Sequence, residues 1–592
     1  MPMLGLRGRV GGARRAGVAG GTAAVMLAAA LATAVPAARR WPAGAASHAP
    51  PEVVGQWTEP FEEGGAAAPR CQPGGHPGGS AGCKPTAVEA AVLKDGRVLY
   101  FTGIEGHATV PAATPASAPD NGVRVLDLRS GTPEWTTPRQ TGSLVSSDIT
   151  ELPDGRLLMA GGDAAALFDL KTNSIGPAAP MKYGRWGPHV AVGPDGNATV
   201  FGGVTRLTGE RPPGSVHRTE TYHADTDRWE ENYTGPASEN DLPPQPRIVL
   251  APDGKFFYAA AGQLGDPAGQ PAGAAEATTA LYQFFDPRTK KWEASGAAPF
   301  GTRSGAFVVP LTMEPPYEQM TLATWGGVVG PAPGLPANPY ATLTTIDGNG
   351  KVASRQTGSL NHARWDSSGV LLPDGQLFAV GGDDRDDTLA PGTGDAVRIP
   401  ELYHPATGTW ADMAPHRRDR GDDNSALLLP DMRVLVGGGS RDPSFEIWSP
   451  PYLFRGPRPV VKRVQRAVSY GESFDITTPD ADLVESVLLL RMPSPEHGND
   501  SDQRALKLEF SRSDEDTLTA TAPPSGDAAP PGTYYLVVNT KSLQGPVPSV
   551  AHMVDVGHTD LTDALQPFPD EAPTPVNGSA RPAEDRGVLK RP

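Results

Sequence analysis

Cysteine is almost absent from this chain, and the motifs of several common catalytic sites are absent altogether. The 592 residues contain two cysteines, so there is no CxxC metal pattern. The sequence also has no phosphate-binding loop and no Ser-His-Asp arrangement. The formal net charge is −16, and a chain without a basic face cannot neutralise the phosphates of nucleic acid. The sequence therefore predicts no nucleic-acid partner.

One strand–turn–strand unit recurs through most of the chain. Its clearest copy is GVLLPDGQLFAVGG at Gly369–Gly382. Proline presets φ at the start of its turn, glycine supplies a positive φ, and the glycine pair allows close backbone approach. The other copies are ELPDGRLLMAGG at Glu151–Gly162, VGPDGNATVFGG at Val192–Gly203, APDGKFFYAAAG at Ala251–Gly262, LLPDMRVLVGGG at Leu428–Gly439, the weaker LKDGRVLYFTG ending at Gly103 and the degraded MTLATWGG ending at Gly327.

The seven copies are spaced at regular intervals. The turn residues Asp95 and Asp431 are 336 residues apart, and six intervals over that distance average 56 residues. A strand-built period near 50 residues is typical of kelch-type β-propeller blades. We therefore predict an all-β protein with a seven-bladed kelch-type β-propeller over residues 55–454. The alternative is an ordinary antiparallel β protein with similar turns.

A second repeated feature supports the propeller. Three segments place an aromatic residue seven positions before a tryptophan. The pairs are Tyr222 and Trp229, Phe285 and Trp292, and Tyr403 and Trp410. In the kelch pattern these aromatics lie on the outer strands of a blade, so we expect them to pack there.

The pattern changes after the last repeat. Residues 455–557 contain short alternating segments such as YGESFDI, ALKLEF and GTYYLVVN, without glycine pairs. Alternation over four to eight residues predicts strands, and several such strands in about 100 residues indicate an immunoglobulin-like β-sandwich. The polar, proline-rich residues 558–592 are predicted to be disordered.

The N-terminus has the layout of an export signal. Arginines precede Ala16–Ala38, which carries no charge, so residues 1–38 are predicted to be a signal peptide or a membrane anchor. Residues 39–54 are predicted to be a disordered linker, and Gly55–Trp57 to begin the ordered chain with a strand that closes the propeller ring. In an exported, extracellular or envelope-associated protein, Cys71 and Cys83 would form one disulfide. Two free thiols are the alternative.

The combined domains resemble the galactose oxidase and glyoxal oxidase family. The resemblance extends over roughly residues 55–557 and includes EIWSPPYLFRGPRP at Glu446–Pro459, SPEHGNDSDQR at Ser494–Arg504 and PGTYYLVVNTKSLQGPVPSVA at Pro531–Ala551. It implies oxidation of an alcohol or aldehyde with reduction of O₂ to hydrogen peroxide. It also implies one copper ion held by two tyrosines and two histidines, with one tyrosine cross-linked to a cysteine.

Counting from the turns predicts that most of the implied ligands are replaced. The cysteine position holds Ser146 and the cross-linked tyrosine position holds Gly187. The second tyrosine and its neighbouring histidine correspond to Asp422 and Asp423, whereas His497 matches the last copper ligand. We therefore expect no radical copper centre. The preferred expectation is a metal-free site without a cofactor, in which Asp423 pairs with His497. The alternative is a divalent ion at Asp422, Asp423 and His497, for which Mn²⁺, Zn²⁺ or Ca²⁺ suits the set better than copper does.

Three functions remain open from the sequence. The preferred one is a non-catalytic propeller that binds carbohydrate or another cell-envelope polymer. The others are a metal site rebuilt around the aspartate pair, and an oxidase with unidentified ligands. The resemblance further assigns Arg364 to substrate binding. It also places Asp423 beside His497 near the propeller axis. Arg364 or Arg420 is expected to supply the positive charge between the carboxylates of Asp422 and Asp423.

Overall fold

The computed structural model describes most of the chain between residues 49 and 557. The described ranges are 49–64, 84–101, 123–141, 147–162, 164–205, 214–263, 280–329, 334–386, 393–439, 442–500 and 502–557. Predictions about residues 1–38, the Cys71–Cys83 disulfide, Ser146 and the tail 558–592 lie outside these ranges. Among the described residues, no helix combines the length and apolar character needed to cross a membrane.

Within the described ranges, seven sheets of four or five strands precede the sandwich, one for each repeat unit. The first sheet holds Glu89–Val92, Val98–Phe101, Val123–Asp127 and Glu134–Thr136; the second holds Ser147–Glu151, Leu157–Gly161, Ala164–Asp169 and Ser174–Pro177, with Arg139–Gln140 at the edge. The third holds His189–Val192, Ala198–Phe201, Glu220–His223 and Arg228–Glu231; the fourth holds Ile248–Leu250, Phe256–Tyr258, Leu281–Asp286 and Lys291–Ala297. The fifth holds Phe307–Pro310, Gln319–Trp325, Ala341–Asp347 and Val352–Gln356; the sixth holds Ser368–Leu371, Leu377–Val380, Glu401–His404 and Thr409–Asp412.

The seventh sheet is assembled from both ends of the propeller. It contains Asn424–Leu428, Val434–Gly438, Glu446–Ser449 and, at its outer edge, Gln56–Trp57. The predicted closing strand is therefore present, with Trp57 opposite Trp448. Ordered chain begins before it, because Pro51–Val54 forms a helical turn with Val54 buried. The predicted disorder of residues 39–54 is therefore wrong for this turn.

Each repeated turn joins the first and second strands of its sheet. Asp374, for example, lies between Ser368–Leu371 and Leu377–Val380, which pair antiparallel. First strands of neighbouring sheets contact one another, and Glu89–Val92 touches both Ser147–Glu151 and Asn424–Leu428. First strands therefore lie innermost, and the later strands of each sheet lie progressively further out.

The spaced aromatic pairs join the two outer strands of their sheets. Tyr222 lies directly opposite Trp229, and Tyr403 opposite Trp410, with ring centroids 5.1 and 5.0 Å apart. Seven-residue spacing places the two rings across a hairpin from each other, at the close range of cross-strand neighbours. The predicted position of these aromatics is confirmed.

The C-terminal part forms two sheets, and the predicted all-β class is confirmed. One sheet holds Arg463–Val464, Ser473–Thr477, Thr517–Thr521 and Phe510–Arg512; the other holds Ala467–Val468, His552–Val556, Gly532–Thr540, Val484–Arg491 and Ala505–Leu508, with Val547–Pro548 attached. The remaining elements are a three-stranded sheet of Ala261–Gly262, Arg303–Ser304 and Val328–Val329, and 3-10 turns at Pro236–Ser238 and Pro451–Phe454.

Candidate functional site

A loop of the sandwich runs along the centre of the propeller. Two carbonyls of the loop, from Pro493 and Pro495, accept hydrogen bonds from the inward-facing backbone of Glu89–Val92. Further along, the Gln503 side chain bonds the backbone of Gly369 and Leu371 in the sixth sheet. The loop therefore satisfies polar backbone groups of first strands that, among the described residues, have no further strand on that side.

This loop carries Glu496 and His497 to the starting ends of the first strands. The His497 N–H donates to Val88 O at 3.2 Å, directly before the strand Glu89–Val92 begins. Asp366 and Asp423 occupy comparable positions, two residues and one residue before the first strands of the sixth and seventh sheets. A loop of the C-terminal domain thus reaches the starting ends of the first strands of the propeller.

Backbone geometry at this end of the ring is unusual. Asp366, Asp423 and His497 have φ values of 52°, 54° and 43°. Non-glycine residues seldom adopt this left-handed region, and aspartate tolerates it better than most. The chain bends at Asp423, directly before the strand. Because of this bend, the N–H groups of Asp422 and Asp423 point to different acceptors. The Asp422 N–H donates to Asp383 at 2.9 Å, whereas the Asp423 N–H donates to Asp366 at 3.2 Å.

Five charged side chains meet here, and we call them the axial cluster: Arg247, Asp366, Asp423, Glu496 and His497. Burial and the charge of Asp423 raise the pKa of Asp366 to about 7, against the opposing charges of Arg247 and His497. Arg247 Nη2 lies 3.8 Å from Asp366 Oδ1. The predicted neighbours Asp423 and His497 therefore both act on one carboxyl group, that of Asp366.

The histidine has its own carboxylate partner. His497 Nδ1 is hydrogen-bonded to Glu496 Oε1, and both side chains are buried. Burial raises the pKa of Glu496, and the neighbouring His497 opposes that shift. This bond fixes the orientation of the imidazole ring. Gln245 Nε2 lies 3.5 Å from the same Glu496 oxygen.

Arg247 is the cation of the axial cluster, and its hydrogen bonding is incomplete. The side chain is 2% exposed, and its Nε donates to Ala306 O at 3.2 Å. Among the described residues, Arg247 Nη1 has no hydrogen-bond partner. A buried guanidinium with an unused donor can bind an acceptor oxygen of a ligand.

Arg364 has a different role from the predicted one. Its guanidinium is fully buried and bonds Glu401 at 2.8 Å, Gly381 O at 3.0 Å and Ile399 O at 2.9 Å. The same arrangement recurs in the third and seventh sheets, as Arg185 with Glu220 and Arg420 with Glu446. Arg364 and Arg420 therefore stabilise their own blades, and the predictions of substrate binding and of a cation between the aspartates are wrong for them.

The remaining predicted positions are described in part. Gly187 has φ 57°, and a Cβ there would lie 3.4 Å from Gln245 Cγ. Asp422 is buried, whereas Asp423 is partly exposed. Within the described residues, no three His, Cys, Asp or Glu side chains are grouped so that they could hold a metal ion. Whether a divalent ion binds at Asp422, Asp423 and His497 stays a prediction.

Comparison with known proteins agrees with this architecture. A family model described as "Galactose oxidase-like, Early set domain" matches residues 458–556. An aldehyde oxidase named GLOX from Vitis pseudoreticulata is 24% identical over 460 residues, which is 68% of this chain and 80% of that protein. Galactose oxidase from Gibberella zeae is 29% identical over 210 residues, which is 33% of this chain and 30% of the relative.

The fold also matches a solved structure. A fungal alcohol oxidase of the AA5 family, determined in complex with copper, superimposes with a TM-score of 0.65 at 20% identity, covering 85% of this chain and 99% of that one. This likeness shows the fold. Residues 458–556 therefore form a galactose oxidase-like early set domain, and the chain is homologous to aldehyde oxidase GLOX and to galactose oxidase.

Proposed function

We propose that this protein is an exported galactose oxidase-like propeller that binds carbohydrate or another cell-envelope polymer at the axial cluster, without radical copper oxidase activity. The observation that carries the proposal is Arg247, whose buried Nη1 has no acceptor among the described residues and which lies beside the carboxyl group of Asp366. A sugar hydroxyl both donates and accepts, so one hydroxyl can accept from Arg247 and donate to Asp366. Carboxylate and guanidinium groups placed together suit a polyhydroxylated ligand.

The residues at the implied copper positions support the loss of oxidase activity. The resemblance requires tyrosine at positions 187 and 422, which hold glycine and aspartate here. Gly187 offers no side-chain ligand, and no cysteine follows Cys83. His497 is retained, but its Nδ1 is bonded to Glu496. We infer that the donor set does not fit a copper ion with a tyrosyl radical.

A sedimentation assay tests polymer binding. The full chain is incubated with insoluble cellulose, chitin and xylan, and the bound fraction is measured for wild type, Arg247→Lys and Asp366→Asn. A hydrogen bond to a charged group contributes about 1.5–3 kcal/mol, so each variant is expected to lose about tenfold or more in affinity. Arg398→Gln is the matched control, because Arg398 is half exposed and pairs with Asp419 on the surface.

The same preparations separate the two alternatives. Stoichiometric metal in wild type that is lost in Asp423→Ala would favour the rebuilt divalent-ion site. Peroxide release after copper loading would favour the oxidase. If wild type retains no polymer, carbohydrate binding at the axial cluster is refuted. It is also refuted if Arg247→Lys is retained as well as wild type is and the two proteins have the same melting curves.

Export is proposed on the sequence of residues 1–38. A cleaved signal and an uncleaved anchor both place the propeller outside the cytoplasm. N-terminal sequencing of the protein recovered from culture medium and from membranes distinguishes them. A chain that stays in the cytoplasm with its N-terminus intact would refute the proposal.

A further inference from the structure

A buried histidine packs against the strand that completes the seventh sheet. His416 is 2% exposed, and the centre of its imidazole ring lies 5.7 Å from that of Trp57, with the two planes at 71°. Trp57 belongs to the strand Gln56–Trp57, which comes from the N-terminal end of the propeller and forms the outer edge of its last sheet. His416 therefore contributes to the packing of this closing strand.

The backbone beside His416 holds the same part of the chain. The Ala414 carbonyl accepts the indole N–H of Trp57 at 2.7 Å, and the Ala414 N–H donates to Val54 O at 3.0 Å. The N–H of His416 itself donates to Arg398 O at 3.1 Å. Because His416 lies two residues after Ala414, a displacement of its buried side chain would disturb both bonds that Ala414 makes to the N-terminal chain.

Hydrogen bonding at the imidazole ring favours its neutral form. His416 Nδ1 lies 2.6 Å from Arg418 O, and a carbonyl oxygen only accepts, so Nδ1 carries the proton. The other ring nitrogen, Nε2, is buried and has no hydrogen-bond partner among the described residues. A second proton would therefore create a buried N–H without an acceptor on a ring that also carries a charge, and both are costly.

Positive charges around His416 oppose its protonation further. Burial is the main cause that lowers the pKa of His416 from 6.5 to about 3, and the charges of Arg420, Arg364 and Arg398 act in the same direction. The bond to Arg418 O opposes this shift. The arginines come from the segments that lead into the sixth and seventh sheets, so the surroundings disfavour an imidazolium from more than one side.

The carboxylates near this position are already paired with arginines. The pairs are Asp419 with Arg398, Glu401 with Arg364, Glu446 with Arg420, and Glu59, just after the closing strand, with Arg417. None of these four carboxylates is bonded to the imidazole ring of His416. A proton on that ring therefore gains no ion pair in the folded sheet.

We propose that His416 is an acid-sensitive latch, and that its protonation releases the closing strand Gln56–Trp57 from the seventh sheet. In the closed sheet the imidazole ring stays neutral down to about pH 3, whereas an exposed histidine takes up a proton near pH 6.5. Closure is therefore strongest above about pH 6.5 and weakens as pH falls from there towards 3. Within the described ranges, the other six sheets are each built from one continuous segment, so the opening is local to the seventh.

Hydrogen exchange of the full protein at pH 7 and pH 5, corrected for the intrinsic effect of pH, tests the latch. The N–H groups of Thr58 and Phe61 donate to Ile447 O and Phe445 O, both at 2.9 Å, and report whether the N-terminal chain is in place. Linkage to one group with these pKa values predicts that their protection falls about twentyfold between pH 7 and pH 5. In His416→Phe, which cannot take up a proton, protection should be the same at both pH values.

His362→Gln is the matched control. His362 also belongs to the sixth repeat unit, but it is partly exposed and bonds Asp412 at 3.3 Å, so this variant should lose protection at pH 5 as wild type does. His416→Gln is a second variant that does not titrate, in case the phenylalanine does not fit. Equal protection of wild type at the two pH values would overturn the latch. So would a loss that both His416 variants retain, or a loss spread evenly over all seven sheets, since that is general acid unfolding.

Discussion

Replacing Arg364 should destabilise the propeller by several kilocalories per mole. Its guanidinium and the Glu401 carboxylate are both fully buried and 2.8 Å apart. Glu401 also accepts the backbone N–H groups of Asn361 and His362, so Arg364→Met would leave a buried charge with two neutral donors. Removing one partner of a buried pair costs about 3–5 kcal/mol, because the remaining charge loses its compensation.

Chemical denaturation followed by tryptophan fluorescence measures this cost. The free energy of unfolding of Arg364→Met should fall by about 3–5 kcal/mol. Glu401→Gln added to that variant keeps an acceptor for one of the two N–H groups and removes the buried charge, so it should restore part of the loss. Arg398→Ala, which breaks an exposed pair, should cost less than about 1 kcal/mol. Wild-type stability of Arg364→Met together with lost polymer binding would refute the structural role and restore the substrate-binding prediction.

Three further predictions concern the axial cluster, the first strands and ring closure. The pKa of Asp366 is about 7 in the folded protein against an ordinary 3.8, so the free energy of unfolding should fall as pH rises from about 4 to about 7. Asp366→Asn should remove up to about 4 kcal/mol of that fall, measured by denaturation at several pH values. The same pH dependence in wild type and variant would contradict this prediction. Gly369→Ala puts a Cβ 2.5 Å from Trp325 and should cost about 1–3 kcal/mol, whereas Gly176→Ala, with 3.9 Å to its nearest neighbour, should melt like wild type. Trp57→Ala removes the hydrogen bond to Ala414 O and should cost about 3 kcal/mol; an unchanged melting temperature would show that closure does not depend on it.

The fold could be predicted because its signals are local. A Pro-Asp-Gly turn specifies a hairpin within a few residues, and the seven-residue spacing of Tyr403 and Trp410 specifies a second one. The structure also explains why the turn at Asp95 lacks the proline of the other copies. Lys94 replaces the proline there, and its Nζ lies 2.9 Å from Asp555 of the sandwich, a partner 461 residues away.

The axial cluster was harder to predict because its members come from different sheets. His497 was found through its resemblance to a known ligand, and Asp423 by counting from a turn. Arg247 and Asp366 lie in no motif, and Glu496, although it precedes His497 in SPEHGNDSDQR, carries no signal of its own. Only the folded arrangement of the sheets brings the three together. The misassignment of Arg364 was avoidable from the sequence. Arg185, Arg364 and Arg420 are each followed by a glutamate two residues before an aromatic in the third strand, at Tyr222, Tyr403 and Trp448.

The central claim is that this galactose oxidase-like chain lacks radical copper oxidase activity. Peroxide release by the copper-loaded full chain tests that claim most directly. The protein is incubated with copper, freed of excess ion and supplied with galactose, glyoxal or methylglyoxal, and peroxide is measured against a sample without protein. On the same preparation, polymer retention confirms that the protein is folded. The account predicts retention with no peroxide above background. Peroxide above background with any of the three substrates would contradict it.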